Sequence, residues 1–380
     1  MKRHALVVAT ISGFIKPFEM NDISILQEMG YTVHVATKIA EGDFEFFEQR
    51  GVIPHYIEFE RSPLKLSNFK AIRLIQNIIE ENDIKFVHCH TPVGSVIARL
   101  AAKKFRNKGC KVVYTAHGLQ FYDGSPKKDW LIYYRVEKFL SRFSDAIITI
   151  NHEDHKRVTE KFHNKKTYYI PGVGVDLDKF GNVQIDETKK KKELGLKNGD
   201  IMLLSVGELI PRKNHQVVID GISKVNDPRV KYFIAGTGPL QEALEQRIKD
   251  LGLEKQVFLL GYRTDVKELL KCTEIFIMPS KQEGLSVALM ESMAGGLPIV
   301  CSRIRGNTDL IDEAKGGYLC GVCVADDYAD AIKRLLDDPD LCKKMGDYNQ
   351  QKIQGFSIGV VDQKMRYIYQ ELLESHAVSE

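Results

Sequence analysis

Residues 274–291 of the chain read EIFIMPSKQEGLSVALME, and this stretch decides the fold. Its first five residues form a strand-like run with four apolar residues after Glu274, and a helical segment follows the turn at Pro279. The pattern predicts that Glu283 lies in a loop at the carboxyl end of a strand and that Glu291 lies about two turns into a helix. Eight helical residues span roughly 12 Å, which is wider than the ~5–9.5 Å between the two carboxylates of a glycoside hydrolase. The spacing therefore favours two contacts on one long ligand.

The start of the predicted helix adds donors to these two acceptors. Backbone amides at Gly284, Leu285 and Ser286 have no partner within a helix, so they can hold hydroxyl or phosphate oxygens. Carboxylates combined with such donors suit the sugar and the ribose of a sugar nucleotide. The alternative is an ordinary amphipathic helix with a charged start.

Strand-like runs alternate with helical patterns along the whole chain. Such alternation predicts an α/β fold with parallel sheets covered by helices on both faces. Turn residues cluster at 171–176, so we place a domain boundary there, with one doubly wound domain at 1–175 and another at 176–357. The predicted strands are residues 5–11, 32–37, 55–59, 84–88, 111–115, 146–150, 201–206, 230–235, 256–260, 274–278 and 298–301.

The composition is that of an ordinary globular protein. A chain of 380 residues with 43% hydrophobic and 28% charged residues is long enough for two full cores. No apolar run approaches the ~18 residues that cross a bilayer, and the apolar run at 5–11 predicts a first strand rather than a signal peptide. Seven cysteines at scattered spacing indicate reduced thiols in a cytosolic protein. The lone Cys320–Cys323 pair has no companion ligands at zinc spacing.

A second chemical signal follows the strand at 201–206. Residues 207–214 read GELIPRKN, so Gly207 turns the chain and the adjacent Arg212 and Lys213 are predicted to open the next helix. A guanidinium fork, an ammonium group and helix-start amides together suit a diphosphate leaving group. The simpler alternative is a pair of surface charges.

Two more glycines follow the strand at 230–235. Gly236 and Gly238 do not form the dinucleotide fingerprint, because its third glycine is missing. They indicate either a close approach of the backbone to a ligand or a tight turn. Arg263, after the next strand, has the chemistry to stack on a base.

In combination, these motifs resemble the family 4 glycosyltransferases, which are retaining enzymes of the GT-B fold. The resemblance rests on the Glu-x7-Glu pattern that begins with Glu-Gly-Leu, on GELIPRKN, and on a Thr-Ala-His-Gly run at 115–118, and it covers essentially the whole chain. It implies two doubly wound Rossmann-like domains facing a cleft, with the C-terminal helix, about 358–380, joined to the first domain. Residues 88–176 look most like bacterial exopolysaccharide and capsular polysaccharide glycosyltransferases, which act on lipid-diphosphate-linked sugars at the cytoplasmic membrane face.

The resemblance also implies roles for single residues. Arg212 and Lys213 would stabilise the leaving diphosphate, Glu283 would hold hydroxyls of the donor sugar, and Glu291 would hold the ribose diol. His117 would orient the sugar ring.

Further contacts are implied for a glycine of the first domain and for the nucleotide site. Gly13 is predicted to lie in the loop between the first strand and the next helix, where the family approaches the donor diphosphate, although many relatives have two glycines there and this chain has one. Gly236 and Gly238 would line the nucleotide, and Arg263 would frame its base.

No metal ion and no cofactor are predicted. His88 and His90 lie on the same face of a strand, which would suit a metal, but no third ligand follows at a local spacing. Asp176 and Asp178 resemble a metal motif of the other glycosyltransferase fold, but their context is that of an interdomain linker. Transfer is therefore expected to need no divalent cation, because Arg212 and Lys213 offer the charge.

Residues 85–166 carry 17 lysine and arginine residues against 7 acidic ones, a net charge of +10. Trp130, Tyr133 and Tyr134 are interleaved with cations there, which suits an anionic membrane surface. Packing of this segment against the core is an equally weighted alternative. Nucleic acid is not predicted as a partner, since no readout motif accompanies the charge.

The sequence therefore predicts a glycosyltransferase of the hexosyltransferase class. The donor would be a nucleotide sugar, with UDP the expected nucleotide, and the acceptor a lipid-linked or oligosaccharide glycan, with a polyprenyl-diphosphate carrier expected. The protein would be cytoplasmic and peripheral at the inner face of the cell membrane. Two alternatives are a sugar-nucleotide 2-epimerase of the same fold and a non-catalytic partner subunit of a transferase.

Overall fold

A computed structural model describes residues 3–60 and 67–374 of the chain. They fold into alternating strands and helices that divide into two compact units. The first unit comprises Met1–Val173 with Gly359–Glu380, and the second comprises Gly174–Ile358.

Thirteen strands are found in the described residues. In chain order they are β1 (Arg3–Ile11), β2 (Tyr31–Lys38), β3 (Ile53–Tyr56), β4 (Phe86–Cys89), β5 (Lys111–Ala116), β6 (Ala146–Thr149), β7 (Lys166–Tyr169), β8 (Ile201–Val206), β9 (Val230–Ala235), β10 (Val257–Gly261), β11 (Ile275–Met278), β12 (Ile299–Ser302) and β13 (Gly317–Cys320).

Eighteen α-helices accompany them in the same residues. In chain order they are α1 (Ser12–Phe18), α2 (Met20–Glu28), α3 (Asp43–Glu48), α4 (Ser67–Glu81), α5 (Pro92–Ala102), α6 (Lys127–Asp129), α7 (Arg135–Ser141), α8 (His152–Lys161), α9 (Leu177–Gly181), α10 (Glu187–Glu193), α11 (His215–Val225), α12 (Gln241–Asp250), α13 (Val266–Lys271), α14 (Val287–Ala294), α15 (Asn307–Leu310), α16 (Ala325–Asp337), α17 (Pro339–Lys352) and α18 (Ile358–Glu374).

Each unit is built on one parallel sheet. The strand order is β3-β2-β1-β4-β5-β6-β7 in the first unit and β10-β9-β8-β11-β12-β13 in the second. Every pairing is parallel, and the central strands are buried and rich in valine, isoleucine and leucine. These are the doubly wound Rossmann-like units that the alternation predicts.

The strand order reverses beside the first strand of each sheet. In the first sheet the reversal lies between β1 and β4, and in the second between β8 and β11. Loops that leave the carboxyl ends of two strands at such a switch point diverge and open a crevice, which is where ligands bind in open α/β sheets. Ligand sites are therefore expected at the loops that follow β1 and β4 and at the loops that follow β8 and β11.

The sequence prediction missed two strands, β7 and β13. Both lie at the outer edge of their sheet. β7 is partly exposed along its length and begins with Lys166, and β13 begins with Gly317, so neither carries the continuous apolar run of a central strand. The predicted strand at residues 55–59 is also an edge strand and lies earlier, at Ile53–Tyr56.

Candidate active site

The switch point of the second sheet carries the predicted diphosphate and sugar residues. The loop after β8 contains Arg212 and Lys213, and the loop after β11 contains Glu283. The two loops are hydrogen bonded to each other, because the amide of Lys281 donates to the carbonyl of Arg212 at 2.8 Å. Neighbouring strands thus place residues that are 70 positions apart in one site.

Glu283 accepts from both cations through one carboxylate oxygen. The Nζ of Lys213 lies 2.8 Å from Oε1, and Nη1 of Arg212 lies 3.0 Å from the same atom. Arg212 Nη1 also donates to the carbonyl of Gln282 at 2.9 Å. The side chains of Lys213 and Glu283 are only 13% and 11% exposed, whereas that of Arg212 is 39% exposed. The three groups form a charged cluster with one open side at Arg212.

Charge pairing controls the ionisation of Glu283. Burial alone would raise its pKa, but the ammonium of Lys213 and the guanidinium of Arg212 outweigh burial and hold the pKa below its usual value. Glu283 is therefore ionised at neutral pH. One carboxylate between two cations leaves an excess of positive charge, which suits an anionic ligand.

The helix after β8 starts later than predicted. Arg212 and Lys213 lie in the turn before α11, which begins at His215 behind a left-handed Asn214. The Asn214 amide donates to the carbonyls of Pro279 and Val322, at 3.1 and 2.7 Å. The cations are thus held by a cross-linked turn and not by the first turn of a helix.

Backbone packing requires glycine at Gly236 and Gly238. A Cβ at Gly236, where φ is +159°, would come 2.0 Å from the carbonyl oxygen of Gly207, and one at Gly238 would come 2.5 Å from that of Leu209. At Gly207 a Cβ would meet the side chain of Lys213 at 3.2 Å. The backbone therefore approaches closely at Gly236 and Gly238, but the neighbour is another loop of the protein. The ligand contacts implied for the three glycines remain predictions.

Glu291 lies in the second turn of α14 and not two turns into it. The helix begins at Val287, because Ser286 caps it by accepting from the amide of Leu289. The first three of the eight residues after Glu283 therefore precede the helix, so the 12 Å separation expected for a continuous helix does not apply. Burial raises the pKa of Glu291 to about 7, although nearby Lys179 opposes the shift.

The loop at Gly284 and Leu285 is held by a residue that the sequence analysis missed. Arg305 is buried, and its Nε donates to the carbonyl of Glu283 at 3.3 Å. The next residue, Gly306, has φ of +78°, and a Cβ there would come 2.3 Å from the carbonyl oxygen of Gly284. The glycine–asparagine turn after β12 is the only sequence signal for this contact.

Arg263 is engaged by carboxylates in this structure. Its Nε lies 2.8 Å from Asp265 Oδ1, and its Nη2 lies 3.2 Å from Glu193 Oε1. These ion pairs restrict the guanidinium of Arg263. Stacking of this group on a base remains a prediction, and it requires the two ion pairs to break. The neighbouring Tyr262 is 78% exposed. An exposed aromatic ring has the chemistry to stack on a base.

At the switch point of the first sheet lies a cluster of histidines and carboxylates. His90 follows β4, His117 follows β5, and Glu19 lies between α1 and α2. His90 Nδ1 and His117 Nε2 are 3.2 Å apart, and each lies 3.2 Å from an oxygen of Glu19. Burial lowers the pKa of His117 to about 4, so its imidazole is neutral at physiological pH. Glu19 belongs to no recognisable motif in the local sequence, so the sequence analysis did not predict its place in this cluster.

Gly13 lies in a helix and not in the predicted loop. It is the second residue of α1, it is exposed, and a Cβ there would meet nothing within 4 Å. Open space at this position is compatible with a ligand but is no evidence for one. Asp176, one of the two aspartates near the predicted linker, has a structural role, because it caps α9 by accepting from the amide of Lys179 at 3.0 Å.

The aromatic segment after α6 has two different faces. Trp130 and Tyr134 pack on the core against Phe121, with ring centroids 5.6 and 5.4 Å away. Leu131 and Ile132 between them are 56% and 50% exposed. The core-packing alternative is therefore right for Trp130 and Tyr134, while the residues between them form an outward apolar patch. Among the described residues, no helix is both long and apolar enough to cross a membrane.

Known proteins resemble the chain in both units. Residues 186–352 match the family of glycosyl transferases group 1, and residues 24–179 match glycosyltransferase family 4. The putative glycosyltransferase EpsD of Bacillus subtilis is 31% identical over 98% of each chain. An Escherichia coli relative, UDP-Gal:alpha-D-GlcNAc-diphosphoundecaprenol alpha-1,3-galactosyltransferase, is 28% identical over 81% of each chain.

Solved structures show the same fold. Anabaena HepE, crystallised with UDP-glucose, superposes with a TM-score of 0.79 at 19% identity, covering 97% of this chain and 99% of that one. The lipopolysaccharide glycosyltransferase WaaG gives a TM-score of 0.74 at 16% identity, covering 96% and 99%. With the near full-length match to EpsD and the two parallel-sheet units, these likenesses establish that the chain belongs to the family 4 glycosyltransferases of the GT-B fold.

Proposed function

We propose that this glycosyltransferase moves a sugar, with retention of anomeric configuration, from a UDP-sugar to a polyprenyl-diphosphate-linked glycan during exopolysaccharide or capsule synthesis. The observation that carries the proposal is the pairing of Arg212 and Lys213 with Glu283 at the switch point of the second sheet. Two cations on one carboxylate leave positive charge for a diphosphate, and the donor in this proposal leaves behind a diphosphate.

The geometry supports a division of labour at this site. Lys213 is nearly buried and held by Glu283, so its ammonium is preorganised, and preorganised charge stabilises a developing anion without reorganisation. Arg212 is more exposed and offers further N–H groups to phosphate oxygens. Glu283 aligns both cations and has a second oxygen for sugar hydroxyls, while Glu291 would take the ribose diol. Because Glu283 is held between two cations, it is suited to positioning the substrate and not to nucleophilic attack. This agrees with a transfer in which the leaving group and the acceptor lie on the same face of the sugar.

The donor nucleotide is proposed from the solved relatives, since HepE was crystallised with UDP and UDP-glucose. His117 is neutral and partly buried, so it can hydrogen bond a substrate hydroxyl without adding charge. Its proposed role is to orient a sugar ring.

The acceptor is proposed to be lipid-linked. The name of the Escherichia coli relative specifies a diphosphoundecaprenol-linked sugar. In this chain, the exposed Leu131 and Ile132 are flanked in the sequence by the exposed Lys127, Lys128 and Arg135. Apolar residues beside cations suit the interface of an anionic membrane, so we place the protein at the cytoplasmic face of such a membrane as a peripheral protein.

A panel of nucleotide sugars, each with and without a polyprenyl-diphosphate-linked saccharide, tests this function. We expect UDP release that depends on the acceptor, with a product whose anomeric proton coupling shows the configuration of the donor. Conversion of the donor without an acceptor would instead establish a 2-epimerase. No turnover and no thermal stabilisation by any nucleotide sugar would favour a non-catalytic partner subunit.

A further inference from the structure

A hydrogen bond between two imidazoles lies at the switch point of the first sheet. Nδ1 of His90 is 3.2 Å from Nε2 of His117, and residues 3–60 and 67–374 provide no second hydrogen bond to the ring of His117. Burial lowers the pKa of His117 to about 4 and that of His90 well below its usual value, so both rings are neutral at physiological pH. A neutral imidazole carries one proton. The direction of this hydrogen bond therefore decides which nitrogen of His117 is a donor.

The surroundings of His90 indicate the direction. The ring is fully buried, and its Nε2 has no hydrogen-bond partner in the described part of the chain. A proton on Nε2 would be a buried donor without an acceptor, which is costly. A proton on Nδ1 has two acceptors at 3.2 Å, namely Nε2 of His117 and Oε2 of Glu19. The proton of His90 therefore belongs on Nδ1, and Nε2 of His117 accepts.

Glu19 supports the same direction. Its carboxyl is 2% exposed, and burial raises its pKa well above the usual value, which favours the neutral acid. Its Oε1 accepts no hydrogen bond from the described residues and lies 3.2 Å from Nε2 of His117. A proton on Oε1 makes this oxygen a second donor to that nitrogen. Donation from His90 and donation from Glu19 both require that Nε2 of His117 carries no proton.

Packing fixes the orientation of both rings. The ring of His90 lies against that of His88, with centroids 4.1 Å apart. Both nitrogens of His88 are hydrogen bonded to hydroxyl groups, at 2.8 and 2.7 Å, so this neighbour cannot rotate without breaking them. Phe14 meets the ring of His117 edge-on, with centroids 4.9 Å apart. The hydrogen bond between the two imidazoles is therefore set by the fold before any ligand binds.

The backbone that carries His90 is strained and tied to the neighbouring strand. The amide of His90 donates to the carbonyl of Val8 in β1 at 2.8 Å. Thr91 has φ of +59°, which is a rare conformation for a β-branched residue, and its hydroxyl lies 2.6 Å from that of Thr10. Such strain concentrates at functional sites. The strain therefore supports a role for His90 beyond the packing of the core.

We propose that His90 and Glu19 are positioning residues that hold His117 in the tautomer with its proton on Nδ1. The proposal rests on the proposed role of His117 and deepens it, because this tautomer makes the ring a neutral donor to an oxygen of the transferred sugar. A free histidine side chain favours the proton on Nε2, so the two buried partners reverse the ordinary preference. The side chain of His117 is 18% exposed and lines a pocket of the first unit, where a ligand can reach it.

The test is the ring ¹⁵N spectrum of the full chain labelled with ¹⁵N-histidine, at neutral pH and without donor or acceptor. The signals of His117 are those that disappear in His117→Gln. We expect a proton on Nδ1 and a bare Nε2. A proton on Nε2 in the wild type would overturn the proposal, and this outcome requires no variant to be active. Because no transfer is measured, failure of the proposal is distinguishable from failure of the proposed function.

Two pairs of variants test the positioning itself. Asparagine keeps an N–H donor near the place of Nδ1, so His90→Asn should turn over about tenfold faster than His90→Leu, the difference expected for one hydrogen bond. Glutamine keeps a donor and an acceptor, so Glu19→Gln should exceed Glu19→Leu in the same way. Equal turnover within each pair would show that the two side chains only fill space, which would overturn the positioning role.

His34→Gln is the matched control. His34 is a buried histidine of the same unit that is hydrogen bonded to His4 and His55, at 3.0 and 2.9 Å. This variant should keep the wild-type tautomer of His117, whereas His90→Leu should shift the ring toward a proton on Nε2. The same shift in both variants would mean that any change in the core alters His117, and the assignment to His90 would be wrong.

Discussion

The ammonium of Lys213 lies 2.8 Å from Oε1 of Glu283, although the two residues belong to different loops. Adjacent strands β8 and β11 deliver them to the same end of the sheet. The contact therefore joins two motifs that are separate in the sequence into one charged group.

Replacing Lys213 with alanine should lower the turnover number by about 10²–10³-fold, because loss of one preorganised charge contact costs about 2.7–4 kcal/mol of barrier. The measurement is the rate of sugar transfer at saturating donor. Lys224→Ala is the matched control, since Lys224 pairs with Asp326 at the surface of the same unit. A Lys213→Ala enzyme within threefold of wild type would refute the assignment.

Stability should respond to pH through Glu291. Its pKa is about 7 in the folded chain, above the usual value of 4.5 for a glutamate, so the folded state holds a proton that the unfolded state releases. The stabilising contribution of the protonated form is complete below about pH 4.5 and is lost as the pH rises through about 7. Glutamine does not titrate, so the variant Glu291→Gln does not lose stability in this way. Its free energy of unfolding relative to that of the wild type should therefore rise by up to about 3 kcal/mol between pH 5 and pH 8.

Melting temperatures at the two pH values give this comparison. Glu245→Gln, on the exposed face of α12, serves as the control and should follow the wild type. A Glu291→Gln variant with the same pH profile as the wild type would show that the carboxyl titrates normally.

The two glycines Gly236 and Gly13 should tolerate alanine very differently. A Cβ at Gly236 would collide with the backbone of Gly207, and φ there is +159°, so Gly236→Ala should destabilise the protein by more than about 1 kcal/mol. Gly13 lies in α1 with open space around it, so Gly13→Ala should be neutral or slightly stabilising. Equal melting temperatures for the two variants would contradict the packing described for the loops of the second unit.

Membrane attachment should depend on the segment around Leu131. Binding to vesicles should rise with their content of anionic lipid and fall with salt, because basic residues near such a surface contribute about 1 kcal/mol each and are screened. Reversing Lys127 and Lys128 to glutamate, or replacing Leu131 and Ile132 with serine, should weaken binding measured by sedimentation.

The adjacent lysines Lys343 and Lys344 provide the matched control for charge. Both are exposed on α17 of the second unit, so their reversal makes the same change in net charge at a different place. Equal loss of binding in both double variants would mean that total charge, and not this segment, drives attachment. Indifference of the wild type to anionic vesicles at low salt would remove the physical support for a lipid-linked acceptor.

The sequence predicted the central strands well and the edges poorly. β8 and β9 were placed at their observed bounds because continuous apolar runs mark buried parallel strands. β7 and β13 were missed because an edge strand buries less surface and carries a weaker signal. Loop conformation was less predictable, since Asn214 and Ser286 start their helices later than the charge patterns suggested.

The candidate site was predictable where chemistry follows a strand directly. Arg212, Lys213 and Glu283 lie in motifs beside strand ends, so their residue types and spacing were informative. Glu19 and Arg305 carry no such signal, because their neighbours come from distant parts of the chain. Contacts of this kind depend on the sheet order, which local patterns do not specify.

A double-mutant cycle on Lys213 and Glu283 tests the central claim that these residues work as one group on the leaving diphosphate. Turnover is measured for wild type, Lys213→Ala, Glu283→Gln and the double variant with the same UDP-sugar and acceptor. We predict that each single variant loses about 10²–10³-fold and that the double variant loses little more than the worse single variant. Single variants within threefold of wild type, or losses that multiply in the double variant, would contradict the account.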